Sequence, residues 1–356
     1  MAYDLAVCGN VVVDVIAPVS AAITPGHQHF TRSPVIPSIG GNGANTAVTA
    51  AWLGLRTELY GGIGDDLWGR WLTTQLKEAA PSLRLRLVPS KYPTSASVVI
   101  GEASGDRTPL HSVGAGIALE GRHLPDVRLR EGRWLHLCST FLLPRLDAAA
   151  SAQLLARAQR ANMVTSVDLA WDPSGRFELG ELPRYTDLLL ANLEEGIAVT
   201  GAHEEKEVLQ RLLDSGPEVV VLKLGAAGCL LGSQKGESFH VPPFPAEVVD
   251  STGAGDVFSA AMVAFLLQHL YARTADRKRI RPTSSAKGLR APSPLESVAP
   301  DHLKRAALLA NAAGAICVGG LGGLGTRLSQ RSVLDFLRKH RQVMQLYSGS
   351  SSGKGA

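Results

Sequence analysis

Apolar and polar positions along the chain follow two periods, and the changes from one to the other mark out the elements. Residues 5–15 form a nearly unbroken apolar, β-branched run, interrupted only by Gly9, Asn10 and Asp14, and read as a buried first strand that delivers Asn10 and Asp14 to its end. Residues 17–38 hold Pro18, Pro25, Pro34 and Pro37 between short β-prone pieces, the pattern of loop or small edge strands. A helix is predicted over 46–53, a strand over 58–63 and a helix over 67–79. Alternation over 95–100, a turn at 101–106 and a return over 107–113 predict a hairpin. With residues 17–38 this hairpin is expected to build a small sheet facing a ligand cleft, which would make it a lid. The chain then alternates regularly: strands over 134–138, 164–169, 188–191 and 219–223, a turn into another strand over 225–231, and helices over 147–160, 195–200 and 208–213. Residues 257–267 are apolar on every side and predict a buried helix, and further helices follow over 302–315 and 332–344. This β–α alternation specifies an α/β fold, a mostly parallel central sheet between two helical layers.

Composition narrows the class. The 356 residues suffice for one large domain or two modest ones, and 45% hydrophobic with 19% charged residues describes a soluble globular protein. The formal charge of +4 is mild and sits in local clusters, and no nucleic-acid reading element is visible, so a nucleic-acid partner is not expected. Cys8, Cys138, Cys229 and Cys317 lie far apart in apolar stretches without a C-x-x-C, which predicts buried free thiols in a reducing compartment. The N-terminus has no basic segment before an apolar core, and no uninterrupted apolar run reaches a membrane span, so a cytoplasmic location is expected. Between 272 and 299 apolar residues almost vanish among Arg273, Arg277, Lys278, Arg279, Arg281, Lys287 and Arg290, the mark of a flexible surface insertion. The domain is therefore expected over 1–344, with lid segments near 16–38 and 94–113 and a disordered Ser/Gly-rich tail over 345–356.

Two glycine turns carry the chemistry. Asp250-Ser251-Thr252-Gly253-Ala254-Gly255-Asp256 leads into the buried helix, with almost no side chain between its acids. Free N–H groups and the positive end of a helix dipole make such a turn a natural anion site. Asp256 at its mouth would repel a phosphate unless it had a task, such as taking a proton from an attacking hydroxyl while the turn holds the charge of a transferring phosphoryl group. On these seven residues alone, a plain tight turn with Asp256 as a first-turn acid fits equally well. Gly40-Gly41-Asn42-Gly43-Ala44-Asn45 opens another helix, with amide side chains suited to hydroxyls. His27 and His29 are read as solvent-exposed loop residues. The run Gly320–Gly325 formally matches G-x-G-x-x-G but comes late and lacks the acid beyond it, which sets aside a dinucleotide fingerprint.

Taken together these features resemble the ribokinase-like, or PfkB, family of carbohydrate and nucleoside kinases, from about Leu5 to the last helix apart from the basic insertion. The resemblance implies a ribokinase-like three-layer α/β/α fold and an ATP- and Mg²⁺-dependent transfer of phosphate to a hydroxyl, with a sugar ranked before a nucleoside as the acceptor. It implies Asp256 as general base and Gly253, Ala254 and Gly255 as anion hole. It places Asp14, Gly41 and Asn45, with Asn10 and Asn42 beside them, on substrate hydroxyls. Asn192 and Glu195 fall near the magnesium and phosphates, Lys223, Gly225 and Gly228 beside the nucleotide, and Asn311 near the adenine. Asp250 and Thr252 resemble residues flanking a monovalent-cation site, so K⁺ joins ATP and Mg²⁺ among the expected cofactors, and relatives often dimerise through the lid. Asn42 stands where many ribokinases carry lysine, and Cys138 and Ser139 stand where they present an acid; both departures weigh against ribose itself as the acceptor without touching phosphoryl transfer. Arg107 on the returning lid strand is a candidate for a substrate charge, although an exposed strand arginine accounts for it as well. The rivals are a nucleoside kinase with the same machinery and a sugar-sensing protein without turnover.

Overall fold

A computed structural model describes residues 2–19, 23–24, 26–31, 33–101, 107–272 and 292–343. Most of the basic insertion and the C-terminal tail lie outside the described residues, as does the side chain of Arg107. The first strands are β1 (Leu5–Cys8), β2 (Val12–Pro18), β3 (Ile36–Gly40), β4 (Thr57–Gly64), β5 (Arg84–Ser90), β6 (Ala96–Gly101) and β7 (Arg107–Ser112). They are followed by β8 (Trp134–Leu137), β9 (Val164–Asp168), β10 (Leu188–Asn192), β11 (Val219–Lys223), β12 (Cys229–Ser233) and β13 (Ser238–Val241). The helices are α1 (Asn42–Trp52), α2 (Leu67–Ala79), α3 (Asp126–Leu129), α4 (Ala148–Arg160), α5 (Leu193–Thr200), α6 (Glu205–Asp214), α7 (Ala254–Ala272), α8 (Pro300–Cys317) and α9 (Gln330–Lys339).

Nine strands form the main sheet in the order β13-β12-β11-β10-β9-β8-β1-β4-β5. Seven run parallel, and β12 and β13 close one edge as an antiparallel hairpin. Alternate residues of each strand feed two cores. In β11, Val219 and Val221 join the core shared with α1, α7 and α8, whereas Val220 and Leu222 join the core under α4 and α6. Helix α7 is buried as its all-round apolar pattern predicts. By length and composition it is apolar enough to cross a membrane, yet it forms the centre of this core. Strand β1 lies between β4 and β8, where the chain reverses its progress across the sheet, and that switch point opens a crevice at the carboxyl ends of the strands.

The second sheet has four strands in the order β3-β2-β6-β7 and is the lid. It corrects the single first strand read over 5–15. The apolar run serves two sheets, leaving the main one after Cys8 and entering the lid at Val12. A side chain at Gly9 would come within 2.5 Å of Cys138 Sγ and 2.8 Å of Gly43 Cα, so the crossing needs glycine. Consequently Asn10 stands just beyond β1, and Asp14 rides on the lid. Strands β5 and β13 are additions to the sequence reading. In β5, Arg84 and Arg86 alternate with Leu85 and Leu87, and Pro89 follows, a composition that suits the outer edge it occupies.

Candidate active site

The strand ends and two helix N-termini converge on the switch-point crevice. Asn10 and Ser139 follow β1 and β8, while Asp168, Asn192 and Lys223 are the last residues of β9, β10 and β11. Opposite them, Asn42 and Asn45 occupy the first turn of α1, and Asp256 the first turn of α7. The helix predicted from Thr46 thus starts four residues earlier, and this brings both amides to Asp256. Asn42 Nδ2 donates to Asp256 Oδ1 at 3.1 Å and Asn45 Nδ2 to Oδ2 at 2.8 Å. Gly41, at φ 88°, makes the entry into α1 possible, since a side chain there would lie 2.6 Å from the Asn10 carbonyl oxygen. Ser139 Oγ donates to Asn42 Oδ1 at 3.1 Å and accepts from the Asn10 N–H at 3.2 Å, which fixes the Asn42 amide with its NH₂ toward the carboxylate.

Electrostatics follow from burial. Asp256 is 8% exposed, and desolvation lifts its carboxyl to about 6, with the nearby Asp168 charge adding to the effect and the Asn45 and Asn42 hydrogen bonds and Lys223 opposing it. Lys223 Nζ donates to Asp168 Oδ1 at 2.6 Å, and Ser259 Oγ, one turn along α7 from Asp256, donates to Asp168 Oδ2 at 2.7 Å. Burial alone would lower the Lys223 ammonium, but Asp168, Glu195 and Asp256 hold it above its ordinary value, so it remains charged. Glu195 is raised by burial to about 7, with Lys223 opposing and Asp168 adding. It also closes a capping box on α5: Asn192 Oδ1 accepts from the Glu195 N–H at 2.7 Å, and Glu195 Oε2 accepts from the Asn192 N–H at 2.9 Å.

The glycine turn before α7 is shaped by a partner that sequence reasoning set aside. Gly253 has φ 73°, and a side chain there would come within 2.5 Å of Gly323 Cα. A side chain at Gly323 would likewise meet Asn45. The Gly322 N–H donates to Asp250 Oδ2 at 2.8 Å, and Asp250 Oδ1 accepts from the N–H and the hydroxyl of Thr252 at 2.9 and 2.6 Å. The Gly320–Gly325 run is therefore the backbone wall of this turn. Gly225 and Gly228, at φ 58° and 90°, shape the turn from β11 to β12. The Asn311 amide donates to the carbonyls of Val241 and Pro242 at 3.1 and 2.9 Å, holding the chain beyond β13 to α8.

The sequence model of the pfkB family carbohydrate kinases matches residues 3–327. The chain belongs to that family. It is 28% identical over 277 residues to a fructokinase of Klebsiella pneumoniae, covering 74% of this chain and 84% of the relative. It is 26% identical over 259 residues to an aminoimidazole riboside kinase of Salmonella typhimurium, covering 70% and 79%. Among solved structures, the ribokinase from Giardia lamblia superposes with a TM-score of 0.81 at 19% identity, covering 96% of this chain and all of that one, a likeness in fold. As a pfkB kinase the protein catalyses ATP-dependent phosphorylation of a sugar or nucleoside.

Within this kinase fold, the structure brings Asp256 together with Asn42 and Asn45, and it adds Asp168 and Ser259, which sequence reasoning did not name for the site, as polar neighbours of Lys223. A lone acid ending an apolar strand and a serine inside an apolar helix carry little pattern of their own. The described residues contain no group of three or more His, Cys, Asp or Glu side chains able to cage a metal. Glu195, on the first turn of α5 beside Asn192, fits instead a Mg²⁺ that takes most of its oxygens from phosphates and water. A concavity of about 1120 Å³ lies between α4 and the segment after β9, and none of the residues named for the site lines it.

Proposed function

We propose that the enzyme transfers the γ-phosphoryl group of ATP to a hydroxyl, most simply a primary one, of a small sugar or sugar derivative, with Asp256 as general base. The observation that carries this reading is the Asp256 carboxylate, held by the Asn42 and Asn45 amides in the first turn of α7, directly after the Gly253 turn. With its carboxyl near 6, Asp256 is ionised at neutral pH and still basic enough to accept the acceptor proton as that oxygen attacks phosphorus. Backbone N–H groups of Gly253, Ala254 and Gly255 would steady the charge on the transferred group. When bound, Mg²⁺ supplies charge neutralisation on the phosphates. Glu195, beside Asn192, would hold it there, and Lys223, Gly225, Gly228 and Asn311 would flank the nucleotide.

The acceptor would lie between Asn10, Asp14, Gly41, Asn42 and Asn45. Asn10 Oδ1 and Asn45 Oδ1 are buried acceptors without a hydrogen-bond partner among the described residues, and donors such as sugar hydroxyls would satisfy them. A monovalent cation such as K⁺ would sit beside Asp250 and Thr252. The reading takes residues 1–344 as one catalytic domain that works in the cytoplasm without nucleic-acid or membrane partners. The outer lid face pairs Val98 with Leu110, 42% and 58% exposed, and this supports a homodimer formed through the lid.

ADP release from ATP and Mg²⁺ tests the reading, measured across sugars, sugar acids and nucleosides with and without K⁺, with Asp256→Asn as the blank. Turnover with one class of acceptor, abolished in the variant, is the expected result. Undiminished turnover in the variant would remove Asp256 as base.

A further inference from the structure

The inner face of the lid carries a polar row of which the reaction as proposed uses only Asp14. Asp14 lies opposite Ser38 on β3 and Ser97 on β6, and Ser97 lies opposite His111 on β7. Directly opposed residues share a face, so Ser38, Asp14, Ser97 and His111 form one line across all four strands. That face looks onto the site: a side chain at Gly322 would meet Ser38 Oγ at 2.9 Å and Ile16 Cδ1 at 3.5 Å, and Gly322 itself bonds Asp250. On the opposite face Val15, Val98 and Leu110 stand in register. A continuous polar row on the cleft side is the pattern of a surface that meets a hydrophilic ligand. Ser97 is buried, and its Oγ lies 3.0 Å from His111 Nδ1, which orients the imidazole and leaves Nε2, the other ring nitrogen, for a ligand.

We propose that His111, oriented by Ser97, determines acceptor specificity by hydrogen-bonding an oxygen of a polyhydroxylated acceptor other than the one that reacts. The proposal rests on the placement of the acceptor between Asp14 and Asp256. Two strand spacings, about 10 Å of backbone, separate Asp14 from His111, a gap that the side chains reduce to the size of a five- or six-carbon sugar. The acceptor would face the carboxylates of Asp14 and Asp256, while the Lys223 ammonium is tied to Asp168. The His111 imidazole suits a hydroxyl there, because it can donate or accept at Nε2 according to its tautomer.

Steady-state kinetics of the full chain with D-ribose, D-fructose and their monodeoxy analogues test this. His111→Ala is expected to raise the acceptor KM about tenfold, the size of one neutral hydrogen bond, while kcat and the KM for ATP change less than threefold. His111→Asn, which keeps a donor and an acceptor, should recover most of the loss. Wild-type protein should discriminate about tenfold against one monodeoxy analogue, and His111→Ala should lose that discrimination. A purely structural Ser97–His111 pair would lower the melting temperature and leave analogue selectivity intact, which would overturn the proposal. Should His111→Ala not fold, Ser97→Ala, which frees the ring without removing it, is read for the same loss of discrimination, and retained discrimination overturns the proposal. Absence of any acceptor turnover by folded, ATP-binding protein would instead sink the kinase reading of the site, and this proposal with it.

Discussion

Asp256→Asn is expected to make the ligand-free protein more stable while stopping it from working. Desolvation raises the folded carboxyl from 3.8 to about 6. Because the folded value lies above the unfolded one, the stability this group contributes is complete below about 3.8 and is lost as pH rises through about 6. Above that pH the folded protein carries the whole penalty for the buried charge, about 3 kcal/mol from the difference between the two values. Asparagine removes the charge and keeps the shape. It also sets its NH₂ against Asn42 Nδ2 or Asn45 Nδ2, donor facing donor, which returns about 1–2 kcal/mol. The net gain at pH 8 is about 1–2 kcal/mol, a rise of a few degrees in melting temperature for a chain of this size. At pH 5 about half of the penalty has already gone, and the advantage should vanish. Loss of the base lowers kcat by about 10²–10⁴. Thermal unfolding of both proteins at pH 5 and pH 8, with ADP release measured alongside, checks each part. A variant that melts below wild type at pH 8, or by the same margin at both pH values, would refute the account of Asp256 as a costly buried charge.

Three further outcomes are expected. The acceptor kcat/KM should fall about tenfold between pH 7 and pH 5 with a midpoint near 6, as Asp256 takes up its proton, and a flat profile over that range would exclude it as the base. Lys223→Met leaves Asp168 and Glu195 without their buried counter-charge and should cost about 3–5 kcal/mol in urea unfolding, with much of the loss recovered by adding Asp168→Asn; no recovery would mean that the ion pair is not the source. Gly253→Ala combines a left-handed backbone with contact on Gly323 Cα and should cost more than 2 kcal/mol and most of kcat, whereas Gly225→Ala, at φ 58° with open space around it, should cost about 1 kcal/mol; equal losses would show that strain alone matters.

The parts of this molecule written in local rules were legible in its sequence. Helix α2 begins and ends where its periodicity predicts, with Asp66 accepting from the Gly69 N–H as its cap, and β11 matches its apolar run residue for residue. The same holds for the glycine turns, because positive φ and close approach demand one residue type. What escaped depends on long-range geometry. Nothing local says that residues 5–15 divide between two sheets, since both halves are apolar and the division is set by Gly9 passing Cys138 and Gly43. The Gly320–Gly325 run looked like a failed nucleotide motif because its partner, Gly253, lies far away in sequence. Asn311 was read from the family pattern, whereas its hydrogen bonds to Val241 and Pro242 become visible only once β13 is in place.

The division of the first apolar run also bears on the order in which the molecule assembles. Strand β2 pairs in parallel with β6, Val13 against Ala96, so the lid joins segments separated by α1, β4, α2 and β5. Such a pairing gains nothing until the intervening units have drawn its ends together, since loop closure must be met before the contact rewards it. The hairpin of β6 and β7 can form early by itself, but the surface carrying Asp14 opposite Ser97 can exist only after the N-terminal part of the main sheet has folded. Acceptor binding therefore reports on the last stage of maturation. During refolding it should appear after the bulk of the secondary structure, and a bound sugar would trap the completed chain against reopening from the lid inward.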